Sequence, residues 1–154
     1  MTIEIIDSQE NKKNICRKVL CSLPDWFGIP EAIDEYVEKS SEMQFWALFD
    51  NKNVIGFIVV KRASDDTAEI YVMGILEAYH HKGFGRMLFS SCYEWCKQND
   101  FSFLQVKTLD KSHPDTHYAN TRKFYKAIGF KELECVPEIW GKTYPCLIMI
   151  MSIE

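Results

Sequence analysis

The stretch Ile75-Leu76-Glu77-Ala78-Tyr79-His80-His81-Lys82-Gly83-Phe84-Gly85-Arg86 constrains this chain more than any other. It joins an apolar, strand-like run at 68–76 to a segment in which Met87, Leu88, Cys92, Trp95 and Cys96 recur at helical spacing. Two glycines fall where that helix begins. A helix start carries unpaired N–H groups and the positive end of the macrodipole. Glycine lacks the Cβ that would hold a ligand away from the backbone. Together these predict an anion site, most naturally for phosphate, with Lys82 and Arg86 adding charge beside it. An ordinary tight turn before a glycine-rich helix is the competing reading. The segment is not a Walker A loop, because no Gly-Lys-Ser/Thr follows. Nor is it a Rossmann fingerprint, because Leu88 stands where the third glycine belongs.

The flanking sequence supplies a sheet for this loop. Residues 2–6 alternate like a strand, and Ile15, Val19 and Leu20 are spaced for an amphipathic helix. The run 23–28 breaks that helix, and Pro30 opens a second one through residue 38. Strands are predicted at 45–50, 54–61 and 68–76, with turns at 51–53 and 64–66. After the loop and its helix come a strand at 103–108, a helix at 118–128 with Gly129 as its C-cap, and strands at 130–135 and 145–151. The order β-α-α-β-β-β-α-β-α-β-β predicts a mixed sheet with helices on its faces, in the α/β or α+β range.

A length of 154 residues suits one domain, 1–154, and 47% hydrophobic residues suffice for its core. The net charge of −4, without a dense Lys/Arg run, argues against a nucleic-acid partner. The N-terminus lacks the pattern of a signal peptide, and no apolar run reaches the length of a membrane span. A cytoplasmic protein with no membrane partner is expected. The six cysteines then read as free thiols, and Cys92 and Cys96 as core residues of one helical face; no metal site is expected.

His80-His81-Lys82-Gly83-Phe84-Gly85 resembles motif A of the GNAT (Gcn5-related N-acetyltransferase) superfamily, Gln/Arg-x-x-Gly-x-Gly/Ala, with His80 in place of Gln or Arg. The segment 118–130 resembles motif B, a helical tyrosine, here Tyr125, followed four residues later by Gly129-Phe130. Tyr118 occupies the place of the usual asparagine and Asn120 is shifted from it. The resemblance covers the chain from its first strand to Met151. It implies a mixed, mostly antiparallel central sheet flanked by about four helices, and acetyl-CoA as co-substrate. The backbone of His80, His81, Lys82, Gly83, Phe84, Gly85 and Arg86 would hold the pyrophosphate. Met73, Gly74 and Ile75 would pair with the pantetheine arm, and Asn120 and Tyr125 would line the cofactor.

The resemblance also distributes the chemistry. Glu69 stands where several relatives place the general base that deprotonates an attacking amine, the alternative being a surface glutamate on a strand. Tyr125 is the expected acid for the departing thiolate. A backbone N–H near Met73 or Gly74 would stabilise the oxyanion. The segment 23–36 would shape the acceptor site. There Trp26 and Phe27, with Tyr71, would wall a pocket, and Asp25, Glu31, Asp34 and Glu35 would attract a cation, the alternative being that the aromatics are core and the acids a solvated helix face. His113 and His117 are further candidates for proton transfer, and solvated loop residues are the equal alternative. Cys146 lacks an apparent partner base and is not expected to be a nucleophile.

The expected activity is direct N-acetylation of a small-molecule primary amine. Acetylation of a protein N-terminus or lysine is a second expectation, and a non-catalytic acyl-CoA-binding sensor a third. Family members often form homodimers, and a homodimer is a further expectation from the resemblance.

Overall fold

The computed structural model describes residues 1–154. Its elements are β1 (Thr2–Ile5), α1 (Gln9–Cys21), α2 (Pro30–Ser40), β2 (Gln44–Asp50), β3 (Asn53–Arg62), β4 (Thr67–Ile75), α3 (Phe84–Gln98), β5 (Phe103–Leu109), α4 (Thr116–Ala127), β6 (Lys131–Val136) and β7 (Cys146–Ser152). The succession is the one the sequence predicts. Single 3₁₀ turns at Glu77–Tyr79 and Pro137–Ile139 are additional. The seven strands form one sheet in the order β1-β2-β3-β4-β5-β7-β6. The pairs β1/β2, β2/β3, β5/β7 and β6/β7 are antiparallel. No helix is long and apolar enough to cross a membrane.

The chain forms two compact units, Met1–Lys61 with Ile70–Trp95, and Arg62–Glu69 with Cys96–Glu154. In the first, Ser8 caps α1 by accepting the Asn11 N–H, and Pro30 starts α2. The two helices bury Cys16, Val19, Leu20, Ile33 and Val37 with Phe45 and Ala47 of β2 and Phe57 and Val59 of β3. Phe45 and Phe57 stack at 5.3 Å. The β2–β3 hairpin turns at Asn51, whose φ of 57° its short polar side chain tolerates.

Two glycines in this unit serve packing. A Cβ on Gly74 would stand 3.1 Å from both Leu23 Cδ1 and Val19 Cγ1, so the missing side chain admits α1 and the turn after it. A Cβ on Gly56 would stand 2.6 Å from Ile75 Cδ1 and 2.9 Å from the Gly74 carbonyl oxygen. That oxygen is backbone and cannot swing aside. Gly56→Ala is therefore expected to cost about 2 kcal/mol through overpacking, seen as a lower urea midpoint. An unchanged midpoint would show that β3 and β4 separate freely.

In the second unit β7 is the central strand, pairing with β5 from Phe103↔Ser152 to Leu109↔Cys146 and with β6 on its other side. α4 begins at Thr116, two residues earlier than its apolar spacing predicts, because the Asp115 carboxylate accepts the N–H groups of His117 and Tyr118. It ends as expected at Gly129, whose φ is 118°. The Arg122 guanidinium donates to the Leu109 carbonyl at 2.7 Å, tying α4 to the end of β5.

One expectation for α3 fails. Leu88, Cys92 and Cys96 are fully buried, but Met87 is 39% exposed. Met87 lies one position off the 88, 92, 95, 96 stripe and shares its row with Ser91 and Glu94, so the helical rotation carries it away from the core.

Candidate active site

The first unit holds the glycine turn. β4 ends at Ile75, and a 3₁₀ turn over Glu77–Tyr79 redirects the chain. His81 and Gly83 follow with φ of 60° and 85°, before α3 starts at Phe84. A Cβ on Gly83 would meet nothing within 4 Å, so glycine is required by backbone conformation and not by crowding. The Gly83 carbonyl accepts the Met87 N–H at 3.2 Å, the first bond of the helix. The N–H groups of Phe84, Gly85 and Arg86 precede that bond and have no intrahelical acceptor. Lys82 and Arg86 are exposed beside them. Backbone donors, a helix N-terminus and two cations suit a pyrophosphate group.

The turn is braced by side chains. His80 Nε2 donates to the Ile75 carbonyl at 2.6 Å. The Tyr79 hydroxyl donates to Asp50 Oδ2 at 3.0 Å, and this bond to a carboxylate holds the phenol above its ordinary pKa. Lys82 Nζ lies 5.8 Å from the centre of the Tyr79 ring. Met73 is half-buried and Ile75 buried at the end of β4.

The expected acceptor-side aromatics form a chain of edge contacts in this unit. Phe27 meets Tyr36 at 5.8 Å and Tyr36 meets Tyr71 at 5.3 Å, while Trp26 meets His80 at 5.4 Å. Lys61 Nζ stands 5.4 Å from the Tyr71 ring centre. Of the acids expected to attract a cation, Asp34 pairs with Arg17 and Glu35 with Lys39. The helix surface thus neutralises two of the four carboxylates internally.

The second unit holds Glu69, Tyr125 and Asn120. Glu69 is not a surface glutamate: it is 3% exposed. Its Oε1 accepts Gln105 Nε2 at 2.6 Å and lies 3.4 Å from Lys107 Nζ. A buried carboxylate needs such partners, and Lys107 and Gln105 supply charge and a donor from one face of β5. Tyr125 is 6% exposed, packed edge-on to Phe130 at 5.6 Å and tilted on Phe124 at 5.5 Å. Asn120 is exposed on α4. His113 stacks on Tyr144 at 6.0 Å, and its Nδ1, like the buried Thr108 Oγ1, has no hydrogen-bond partner. Sequence reading missed Gln105, Lys107 and Thr108; alternation shows that Gln105 and Lys107 share a face, but not that Glu69 lies opposite them.

All six cysteines are free thiols, and no group of three or more His, Cys, Asp or Glu side chains could hold a metal. Burial pushes the Cys146 thiol up to about 11 against the lowering effect of Lys107. It is protonated at neutral pH and unsuited to nucleophilic attack. Because its pKa rises from 9.0 on folding, its stabilising contribution is complete below about pH 9 and lost as pH climbs through about 11. Native labelling with iodoacetamide at pH 8 is expected to modify exposed Cys21 and spare Cys146; rapid labelling of Cys146 would contradict its burial.

Comparison with known proteins places the fold and the family. Streptothricin acetyltransferase A of Bacillus subtilis is 30% identical over 83 residues, covering 54% of this chain and 47% of that protein. The matches cover less than half the length of each of two curated relatives, 13% and 47%. An acetyltransferase of the GNAT family from Desulfovibrio desulfuricans superposes with a TM-score of 0.82 at 18% identity, over 99% of each chain. An aminoglycoside 6'-N-acetyltransferase complexed with coenzyme A superposes with a TM-score of 0.77 at 17% identity, over 100% of this chain and 98% of the other. The family model described as Acetyltransferase (GNAT) family matches residues 15–130, from α1 through both helices that carry the motifs to the Gly129-Phe130 pair. The glycine turn and the helical tyrosine thus lie within one family match, and the chain belongs to the acetyltransferase (GNAT) family.

Proposed function

We propose that this chain transfers the acetyl group of acetyl-CoA directly to a primary amine of a small molecule. The observation that carries the reading is the turn at Gly83, where positive φ and the N–H groups of Phe84, Gly85 and Arg86, which precede the first helical bond, suit a pyrophosphate. Lys82 and Arg86 add charge beside them. The backbone at Met73, Gly74 and Ile75 pairs with the pantetheine arm, and an N–H near Met73 or Gly74 steadies the oxyanion. Asn120 is carried by the resemblance alone.

When bound, the thioester supplies an activated acetyl carbon. Glu69 takes a proton from the ammonium form of the acceptor directly or through water, and the freed amine nitrogen then attacks that carbon. With Oε1 committed to Gln105 and Lys107, the relay through water suits Glu69 better. The carbon–sulfur bond breaks, and Tyr125 gives its phenolic proton to the thiolate. Trp26, Phe27 and Tyr71, half-buried rings that pack against the core of the first unit, wall the acceptor side with their remaining faces, which suit a small organic amine.

The acceptor class is tested by incubating the protein and acetyl-CoA with two panels, one of small amines including aminoglycosides and streptothricin, the other of peptides with free N-termini and lysines. Mass spectrometry then reads acetylation. Turnover on a small amine is expected. Turnover confined to peptides would replace this reading with the protein-acetylating one.

A further inference from the structure

We propose that His80 is a positioning residue for the phosphate-binding turn, and that Trp26 acts on that turn through it, so the acceptor-side loop helps set the affinity for acetyl-CoA. The inference rests on reading the Gly83 turn as the pyrophosphate site. The Ile75 carbonyl that His80 engages is the last of β4. A carbonyl only accepts, so Nε2 carries the proton, as it does in both the neutral Nε2–H tautomer and the imidazolium. This bond closes a ring across Leu76, Glu77, Ala78 and Tyr79. The backbone bonds Tyr79 N–H to Leu76 O at 2.8 Å and His80 N–H to Glu77 O at 3.1 Å lie inside it. The exit of the chain from β4 is thereby fixed just before the two left-handed residues His81 and Gly83.

Trp26 packs against the imidazole. Its ring meets the His80 ring at 5.4 Å with an interplanar angle of 75°, the edge-to-face arrangement that aromatic pairs favour. Trp26 is itself placed by β4. Its backbone N–H donates to the Leu23 carbonyl at 3.1 Å, and Leu23 is buried against the missing side chain of Gly74. Adjacent residues of β4 therefore anchor both partners, Gly74 through Leu23 and Ile75 through His80. An acceptor that shifts Trp26 shifts the ring that holds the cofactor turn.

The chemistry distinguishes the two contributions. A glutamine Nε2 lies as many bonds beyond Cβ as the histidine Nε2, so His80→Gln keeps the donor to Ile75 but removes the ring from Trp26. Calorimetric titration with acetyl-CoA reads both. His80→Ala is expected to raise Kd about tenfold and His80→Gln about threefold. Trp26→Ala is expected to raise Kd about threefold in the wild type and less than about twofold when added to either His80 variant. Loss of folded protein would lower the number of binding sites and leave Kd unchanged. Should His80→Ala fail to fold, Trp26→Ala in the wild-type and His80→Gln backgrounds decides the matter. Wild-type affinity in His80→Ala, equal weakness in His80→Gln and His80→Ala, or fold-changes that multiply in the double variants would overturn the inference. Absence of acetyl-CoA binding by the wild type would instead overturn the pyrophosphate reading, and this inference with it.

Discussion

Gly83→Glu is expected to abolish measurable acetyl-CoA binding while leaving the fold intact. Two effects add. Glutamate at φ 85° costs about 1–2 kcal/mol in backbone strain, and the turn relaxes away from the geometry that aims its N–H groups. Its carboxylate also stands at the helix N-terminus, where it satisfies the donors and repels the pyrophosphate. Together these raise Kd by about a hundredfold or more. Because a Cβ at Gly83 would meet nothing within 4 Å, no steric cost adds to that strain, and the melting temperature should fall by only a few degrees. Retained affinity in a folded variant would remove this turn from the binding site.

Tyr125→Phe is expected to lower kcat about a hundredfold, the usual scale of a lost general acid, with KM for acetyl-CoA changed by less than about twofold. Phenylalanine keeps the edge contact to Phe130 and the tilted contact to Phe124, so the variant removes one hydroxyl without emptying a buried site. Steady-state kinetics with a turnover-competent amine reads the split. Unchanged kcat would assign the proton to water, and a raised KM with unchanged kcat would make Tyr125 a binding residue.

The parts of the fold legible in sequence were those written in local chemistry. The β2–β3 hairpin follows from two apolar runs around Asn51-Lys52-Asn53, and the end of α4 from Gly129. The glycine turn was legible because positive φ and a helix start leave their mark on residue type. What depends on register was not. Glu69 reads equally as surface or site in the sequence, and only β5, by bringing Gln105 and Lys107 against it, shows that it is buried. Gly56 gives no local signal, since its need for a bare Cα comes from Ile75 and Gly74. The start of α4 was misplaced because Asp115 caps a turn carrying no apolar residue to extend the pattern. His80 departs from the motif in residue type, and only the position of the Ile75 carbonyl shows what its side chain holds.

The most direct test of acetyl transfer is the stoichiometry of thiol release. Wild-type protein, acetyl-CoA and an amine panel are mixed, and free CoA thiol is measured beside the acetylated amine. Amine-dependent release is expected, with one thiol per acetyl-amine formed and no acetyl group left on the protein. Saturable acetyl-CoA binding without amine-dependent thiol release across small amines and peptides would contradict acetyl transfer and make the chain an acyl-CoA-binding module.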